Sequence, residues 1–250
     1  MKAQNVSSFY DLLSEDYDLM TSFDERLAKE ELIFKPIVDK YKIKSALDAG
    51  CGTGFHSIVL SKLGVNVTAV DISSKMIQKL RDRAKRDNLN ISAIKCDFTK
   101  LPINKKYDAI FCMGNTLAHT KTKRELSIIL SNFYKVLNRN GLLFIQILNY
   151  DKIIASGEII QSIKEANGKI FVRFYGYKEK LIDFNILTIE RNEGVLRHKL
   201  QTTKLRLLKR KEVVDLSKKI GFRKIKTYGS NSLEKFKINE SRDLVIAAIK

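Results

Sequence analysis

A glycine-rich segment, Leu47 to Gly54, is the part of the sequence best suited to contact a ligand. Its three glycines stand at alternate positions from Gly50, so the backbone can turn sharply and a ligand can lie directly against the main chain. About twenty residues further on, an apolar run ends in Asp71. A carboxylate at that place can accept two hydrogen bonds from a vicinal diol such as a ribose. Together these residues predict a nucleoside-binding site.

The spacing of the glycines indicates what kind of nucleoside ligand the segment would accept. A dinucleotide-binding loop follows the pattern G-x-G-x-x-G and leaves room for a pyrophosphate at the start of the next helix. This loop is instead G-x-G-x-G, and the acidic Asp48 stands just ahead of it. Because an acidic side chain repels an anion, a positively charged ligand without phosphate is expected.

Short apolar runs that alternate with helical stretches must position this loop. Five runs rich in β-branched or aromatic residues predict strands at 45–50, 65–71, 91–97, 107–113 and 141–148. Three stretches between them predict helices at 55–62, 75–87 and 124–137. Strands that alternate with helices form a parallel sheet covered on both faces. The glycine loop would then lie at the carboxyl end of the first strand, where such sheets bind ligands.

The residues before and after this alternating region show different sequence patterns. Apolar periodicity predicts two leading helices, at 8–20 and 24–41. Three consecutive strands without intervening helices are predicted at 169–177, 181–191 and 195–207. A helix at 211–220 and strands at 222–228 and 243–249 then resume the α/β pattern.

The expected fold class is therefore α/β: a Rossmann-like, doubly wound, mostly parallel seven-stranded sheet with an N-terminal helical cap and an inserted antiparallel β segment. The expected divisions are a helical cap over 1–42, a cofactor-binding core over 43–150, the inserted β segment as a substrate lid over 151–207, and the end of the core over 208–250.

Four motifs at the ends of successive strands carry a family resemblance: LDAGCGTG, VDIS, CDF and FCMGN. Over residues 45–149 this series resembles the signature of class I S-adenosylmethionine-dependent methyltransferases, whose cofactor carries a cationic sulfonium and no phosphate. The resemblance implies that Asp71 holds the ribose and that Asp97 meets the adenine amino group, with Phe98 or Ile72 against the ring. The cofactor-binding residues it implies are Tyr10, Tyr17, Asp48, Gly50, Cys51, Gly52, Gly54, Asp71, Ile72, Met76, Asp97, Phe98, Met113 and Gly114.

A narrower resemblance connects residues 107–119 and 149–151 with the glycine N-methyltransferase group and its small-molecule relatives. In that group a leading tyrosine-rich helix covers the cofactor, and an inserted antiparallel sheet helps to close over the substrate. The polar residues that would face the reacting end are the catalytic candidates: Asn115, His119 and Tyr150.

The sequence also departs from that group. An arginine that binds the substrate carboxylate is replaced by Leu148, and a tyrosine pair expected after the inserted sheet is missing near Leu205. The reaction class and the cofactor are therefore carried over, whereas glycine as the substrate is not. Several polar residues of the inserted segment can reach a substrate, although most are expected on an exposed sheet face: Arg173, Tyr175, Tyr177, Arg197 and His198.

Charge leaves more than one kind of methyl acceptor open. The chain has 46 lysines and arginines against 28 aspartates and glutamates, a formal net charge of +18. Such a charge attracts nucleic acid and acidic ligands, but here the lysines are spread along the chain and concentrate only at 204–211 and 218–226. The expected function is methyl transfer from S-adenosylmethionine to a nitrogen or oxygen of a small molecule. The alternatives are methylation of tRNA or rRNA, and a non-catalytic S-adenosylmethionine-binding module.

Cysteine usage and hydropathy exclude other classes of protein. Cys51, Cys96 and Cys112 are too few for a disulfide framework, and no Cys/His ligand spacing accompanies them. Reduced thiols and no metal are therefore expected. No apolar run approaches the roughly eighteen residues of a membrane span, and the N-terminus lacks the apolar block of a secretory signal. A cytoplasmic location without membrane association is expected.

Overall fold

The computed structural model describes residues 3–177, 181–192 and 194–250. Its strands form two sheets. They are β1 (Ser45–Ala49), β2 (Asn66–Asp71), β3 (Ile91–Lys95), β4 (Tyr107–Cys112), β5 (Leu137–Leu148), β6 (Ile160–Ala166), β7 (Lys169–Tyr177), β8 (Leu181–Asn192), β9 (Val195–Arg206), β10 (Arg223–Tyr228) and β11 (Asp243–Ile249). The helices are α1 (Val6–Thr21), α2 (Phe23–Tyr41), α3 (Phe55–Lys62), α4 (Ser74–Arg86), α5 (Lys123–Val136), α6 (Tyr150–Ser156) and α7 (Arg210–Ile220). Short 3₁₀ turns occupy Phe98–Lys100 and Thr116–His119.

The larger sheet has seven strands in the order β10-β11-β5-β4-β1-β2-β3. The five strands β1 to β5 run parallel, whereas β11 is antiparallel to both of its neighbours. This arrangement confirms the predicted α/β class and its mostly parallel seven-stranded sheet. The antiparallel direction of β11 brings its first residues to the carboxyl end of β5.

Helices cover both faces of the larger sheet. Apolar residues of α2, α3 and α4 pack on one face, around Phe34, Ile58 and Leu80. The other face is covered by α5, α6 and α7, around Phe133 and Val213. Side chains of a strand alternate between faces, so the central strands contribute to both clusters and are buried on both sides. The edge strand β3 contributes only to the first cluster.

The smaller sheet is antiparallel, in the order β6-β7-β8-β9. It contains the three predicted strands and a fourth, β6, which the sequence pattern did not predict. Helix α1 packs its apolar side against one face of this sheet, in a cluster that includes Phe9, Leu13, Phe171 and Ile186. The smaller sheet and α1 therefore form one layer over the carboxyl ends of the parallel strands of the larger sheet.

Polar contacts fix α1 to the larger sheet. Asp11 accepts hydrogen bonds from the Ser73 hydroxyl at 2.6 Å and from the backbone N–H of Lys75 at 3.1 Å. Asp18 accepts from the Thr53 hydroxyl at 2.6 Å and pairs with Arg83 at 2.8 Å. These contacts place α1 directly above the β1–α3 and β2–α4 loops.

Other contacts fix the same helix to the smaller sheet. Lys169 pairs with Asp16 at 2.7 Å, and the Gln201 side chain donates to the Phe9 carbonyl at 3.3 Å. Helix α1 therefore contacts both sheets, and cavities open beside it toward each of them.

The three cysteines form no disulfide. Burial raises the pKa of the Cys51, Cys96 and Cys112 thiols, so all three stay protonated near neutral pH. Within the described ranges, no helix combines the length and hydropathy that a membrane crossing needs.

Candidate active site

A cavity of about 260 Å³ opens at the carboxyl ends of β1, β2 and β4, with α1 as its cover. We refer to it as the glycine-loop cavity. Many of the residues singled out in the sequence meet there. They are Tyr10, Tyr17, Gly50, Cys51, Gly52, Asp71, Ile72, Asp97, Phe98, Met113, Gly114 and His119.

Asp71 ends β2 with its carboxylate turned toward the glycine loop. Its Oδ2 accepts from the backbone N–H of Gly52 at 3.0 Å, and its Oδ1 accepts from that of Ser73 at 2.8 Å. Burial raises the pKa of Asp71 to about 6, although both hydrogen bonds favour the charged form. The carboxylate is therefore mostly ionised at neutral pH, and its remaining lone pairs can accept from a ligand hydroxyl.

Two glycines of the loop serve different purposes. Gly52 has a φ of +54°, and a Cβ placed there would come within 3.7 Å of the Tyr17 ring across the cavity. A Cβ on Gly54 would lie only 2.2 Å from Leu80, so this glycine allows the loop to pack against α4. Only the first of these two glycines keeps cavity space open for a ligand.

Asp97, Ile72 and Phe98 line the far end of the glycine-loop cavity. Asp97 caps a 3₁₀ turn, because its Oδ1 accepts from both the N–H and the hydroxyl of Thr99 at 2.8 Å. Phe98 is partly buried, with its ring 5.8 Å from that of Phe133. An acidic group beside two apolar side chains can receive a flat heteroaromatic ring that bears an amino group.

Five of the predicted site residues do not line this cavity; one of them, Asn115, lines a second cavity, and the other four lie as follows. Asp48 is buried behind the loop, where it accepts from the Ser57 hydroxyl at 2.6 Å. Gly54 packs on α4, and Met76 is fully buried within that helix. Tyr150 is buried at the start of α6. A direct contact of these four residues with a ligand stays a prediction.

A second cavity, of about 570 Å³, lies between α1, α2, the end of β5 and the smaller sheet. We refer to it as the helix–sheet cavity. The two cavities share a boundary, formed by residues that line both: Tyr10, Tyr17, Thr21, Arg26, Gly114, His119, Gln146 and Asp243. Two ligands in adjoining cavities would therefore meet at this boundary.

Tyr10 and His119 form a hydrogen bond of 2.8 Å at the boundary, between the hydroxyl and Nε2. Burial lowers the pKa of His119 to about 4, against a smaller opposing effect of the Lys204 backbone. Burial raises the pKa of Tyr10. At neutral pH the pair consequently consists of a neutral imidazole and a protonated phenol. It can donate and accept hydrogen bonds but carries no charge.

Asn115 lies at the helix–sheet cavity, and its side-chain amide links the ends of two strands. Its Oδ1 accepts from the backbone N–H of Leu148 at 3.1 Å, and its Nδ2 lies 2.8 Å from the Tyr150 hydroxyl. These contacts fix the loop after β4 to the end of β5. Of the three catalytic candidates, only His119 lines both cavities.

Sequence reasoning missed two polar residues at the boundary. The Gln146 side chain accepts from the Gly114 N–H at 2.7 Å and donates to Asp243 at 2.9 Å. Burial raises the pKa of Asp243. The available signal was a single glutamine in the apolar run of β5, since a polar residue in a buried strand requires partners.

The polar residues of the inserted segment agree with the expectation that most of them are exposed. Tyr177, Arg197 and His198 are exposed, whereas Arg173 is partly buried and Tyr175 is buried. Arg173 lines the helix–sheet cavity. Its neighbours two positions away on β7, Phe171 and Tyr175, are buried.

Residues 46–141 match a family described as "Methyltransferase domain". The match spans β1 to the start of β5 and so contains the glycine loop, Asp71 and Asp97. Together with the fold, the match makes this part of the chain similar to a class I S-adenosylmethionine-dependent methyltransferase domain.

The chain is similar to the glycine/sarcosine N-methyltransferase of Aphanothece halophytica, with 32% identity over 145 residues. That match covers 57% of this chain and 55% of the relative, so the chain spans about half the length of the curated relatives it matches.

Two solved structures share the fold over nearly the whole chain. An S-adenosylmethionine-dependent methyltransferase from Clostridium acetobutylicum ATCC 824 has a TM-score of 0.82 at 17% identity, over 96% of this chain and 98% of that one. The sugar N-methyltransferase KedS8 from Streptoalloteichus sp ATCC 53650 has a TM-score of 0.74 at 16% identity, over 100% and 96% of the two chains.

Proposed function

We propose that the protein transfers a methyl group from S-adenosylmethionine to an amine nitrogen of a small-molecule acceptor. The observation that carries this proposal is the shared boundary of two cavities, one built on the glycine loop and one closed by the smaller sheet. The names of two similar proteins, a glycine/sarcosine N-methyltransferase and a sugar N-methyltransferase, support nitrogen as the acceptor atom.

The residues of the glycine-loop cavity fit S-adenosylmethionine. The open space at Gly52 is one that a Cβ would fill, and the buried Asp71 carboxylate keeps lone pairs for a ribose diol. Asp97 would meet the adenine amino group, with Ile72 and Phe98 against the ring. Met113, Gly114 and Tyr17 would lie toward the reacting end of the cavity.

When bound, S-adenosylmethionine supplies a methyl group that its positively charged sulfur already activates. The protein's task is to orient the acceptor and keep the nitrogen lone pair free. Asp243 lies at the boundary with an ionisable carboxylate, which can attract an ammonium group and take its proton. The His119 Nε2 and Tyr10 hydroxyl can orient the neutral amine by hydrogen bonding.

A small acceptor fits this arrangement better than RNA does. The helix–sheet cavity lies between α1, α2 and the smaller sheet, and a volume of about 570 Å³ is that of a site for a drug-sized molecule. A nucleotide within a polymer would also need an open groove for its backbone.

The proposal is tested by titrating the purified protein calorimetrically with S-adenosylmethionine and S-adenosylhomocysteine, with NAD as the control. Saturable binding of the first two alone is expected. Transfer of a labelled methyl group into a panel of small amines should then follow, with no transfer into tRNA. A folded protein that binds S-adenosylhomocysteine but methylates no amine in a metabolite extract would contradict the enzymatic part of the proposal.

Acidification should weaken cofactor binding through Asp71. Its carboxylate must be ionised to accept from both ribose hydroxyls, and its pKa is raised by burial to about 6. The affinity for the cofactor should therefore be close to its maximum at pH 7 and should fall as the pH drops through 6. A titration series should give an affinity for S-adenosylhomocysteine about tenfold weaker at pH 5 than at pH 7.

Asp71→Asn provides the decisive comparison, because the amide does not titrate. This variant should bind weakly at both pH values with no such decrease, whereas Asp82→Asn, on the exposed side of α4, should follow the native curve. An unchanged pH dependence in Asp71→Asn would assign the titration to another group.

A further inference from the structure

The charged residues of the helix–sheet cavity are mostly cationic. Five lysines and arginines line it against two acidic residues, Glu25 and Asp243. The cations are Arg26, Lys29, Lys164, Arg173 and Arg242. An amine substrate alone gives no reason for this excess, since its own charge is positive.

The smaller sheet provides two of these cations, Lys164 on β6 and Arg173 on β7. The Arg173 Nε donates to the Ser162 hydroxyl at 2.6 Å, and Arg173 forms no ion pair with any residue in the described ranges. Burial lowers the pKa of Arg173, and the nearby positive charge of Arg242 lowers it further. A partly buried guanidinium without a carboxylate partner carries an uncompensated desolvation cost.

Other arginines of this chain indicate how unusual this is. Arg83 and Arg206 are also shielded from solvent, and each pairs with a carboxylate, that of Asp18 or Glu212. Arg173 instead has near it the positive charge of Arg242, an exposed residue that stands just before β11 and lines the same cavity. Two guanidinium groups that line one cavity and repel each other form a site for an anion.

We propose that the methyl acceptor carries an anionic group, a carboxylate or a phosphate, which Arg173 and Arg242 bind. This inference rests on the proposed function and specifies its substrate class: an anionic amine, or a neutral amine with an anionic substituent. The cavity holds the anion on its Arg173 side and directs the amine toward Asp243 and His119 at the boundary.

The test uses three probes that share one amine and differ only in the second group: 2-aminoethanol, β-alanine and 2-aminoethyl phosphate. Each is titrated calorimetrically into the full-length protein saturated with S-adenosylhomocysteine, in a buffer free of phosphate and carboxylate. At least one charged probe should bind ten times or more tighter than 2-aminoethanol. Preference for β-alanine identifies a carboxylate as the anion, and preference for 2-aminoethyl phosphate identifies a phosphate.

Variants connect the preference with the two arginines. Arg173→Met and Arg242→Met should each reduce the preference to less than threefold, whereas Arg139→Met, an exposed arginine outside the cavity, should leave it unchanged. Arg173→Lys should retain part of it, because the charge stays while the two-pronged geometry is lost. Unchanged binding of S-adenosylhomocysteine reports that each variant is folded.

Equal affinity for all three probes, or an undiminished preference in Arg173→Met, overturns the anion site. Failure of the proposed function is read separately, from the titration with S-adenosylhomocysteine. Absent cofactor binding together with an arginine-dependent anion preference, measured without cofactor, would remove methyl transfer and support the anion site.

Discussion

Replacing Gly52 with leucine is expected to abolish binding of S-adenosylhomocysteine, with a loss of at least about a hundredfold in affinity. An ideal Cβ on Gly52 would already lie in van der Waals contact with the Tyr17 ring, at 3.7 Å, so the rest of a leucine side chain would fill the cavity around it. The same backbone N–H donates to Asp71, so a shift of the loop would also misplace the ribose acceptor. Calorimetric titration measures the effect directly.

Gly64→Leu is the matched control for this variant. Gly64 has a φ of +81° and lies in open space in the turn after α3, so leucine there meets the same kind of backbone strain without filling the cavity. Both variants should lose roughly 1–2 kcal/mol of unfolding free energy, yet only Gly52→Leu should lose cofactor binding. If Gly52→Leu bound S-adenosylhomocysteine as well as the native protein does, the cofactor would have to lie elsewhere.

The sequence pattern was most informative in the parallel half of the larger sheet. Helix α3 occupies the predicted residues 55–62, and β2 begins one residue later than predicted. Strands buried on both faces are continuous apolar runs, and the crossover helices between them keep a separate periodicity. Local sequence therefore suffices to find these elements and, from them, the fold class.

The elements that escaped prediction lie where burial is weak. Strand β6 is an edge strand, and its Ile160 and Ile163 are both exposed. These residues are three apart, a helix-like spacing, and the strand is held by pairing with β7. The short helix α6 follows Asn149, whose side chain caps it. Strand β6 has no buried residue and α6 has two, so neither element carries a strong apolar pattern.

The residues of the candidate site likewise include some that local sequence places correctly and others that it does not. The glycine loop, Asp71 and Asp97 each follow a parallel strand, so strand order alone brings them to one edge. Asp243 reaches that edge only because β11 runs antiparallel and pairs its first residue with Leu148. Arg173 stands in a run, 170–175, that is apolar on both faces, so alternation could not tell which face would be buried.

Replacing Asp243 with asparagine is expected to lower kcat/KM for the amine acceptor by about a hundredfold or more, in the range for loss of a proton acceptor. Asparagine keeps the shape and can still accept from Gln146, which now donates to Asp243 at 2.9 Å. It lacks the charge that attracts an ammonium group and the basicity that removes its proton. Steady-state methyl transfer, measured as a function of pH, should therefore show a large loss near neutral pH.

The sign of the pH effect follows from the ionisable groups at the boundary. In the native enzyme the rate should rise with pH as the Asp243 carboxyl, whose pKa is raised by burial, loses its proton. The rate should rise again as the amine deprotonates. In Asp243→Asn only the second rise should remain, so activity should recover at alkaline pH where the free amine is present. His119 adds no rise near neutrality because burial lowers its pKa to about 4.

Two measurements separate this role from a structural one. Binding of S-adenosylhomocysteine to Asp243→Asn should be within about twofold of native binding, and Asp82→Asn should show native kinetics, since its carboxylate is exposed on α4 and contacts Gln78. Native activity in Asp243→Asn with a large loss in His119→Gln would instead assign the acceptor's proton to the Tyr10–His119 pair. Because burial keeps the Tyr10–His119 pair uncharged at neutral pH, whereas Asp243 brings an ionisable carboxylate to the boundary, we expect the first result.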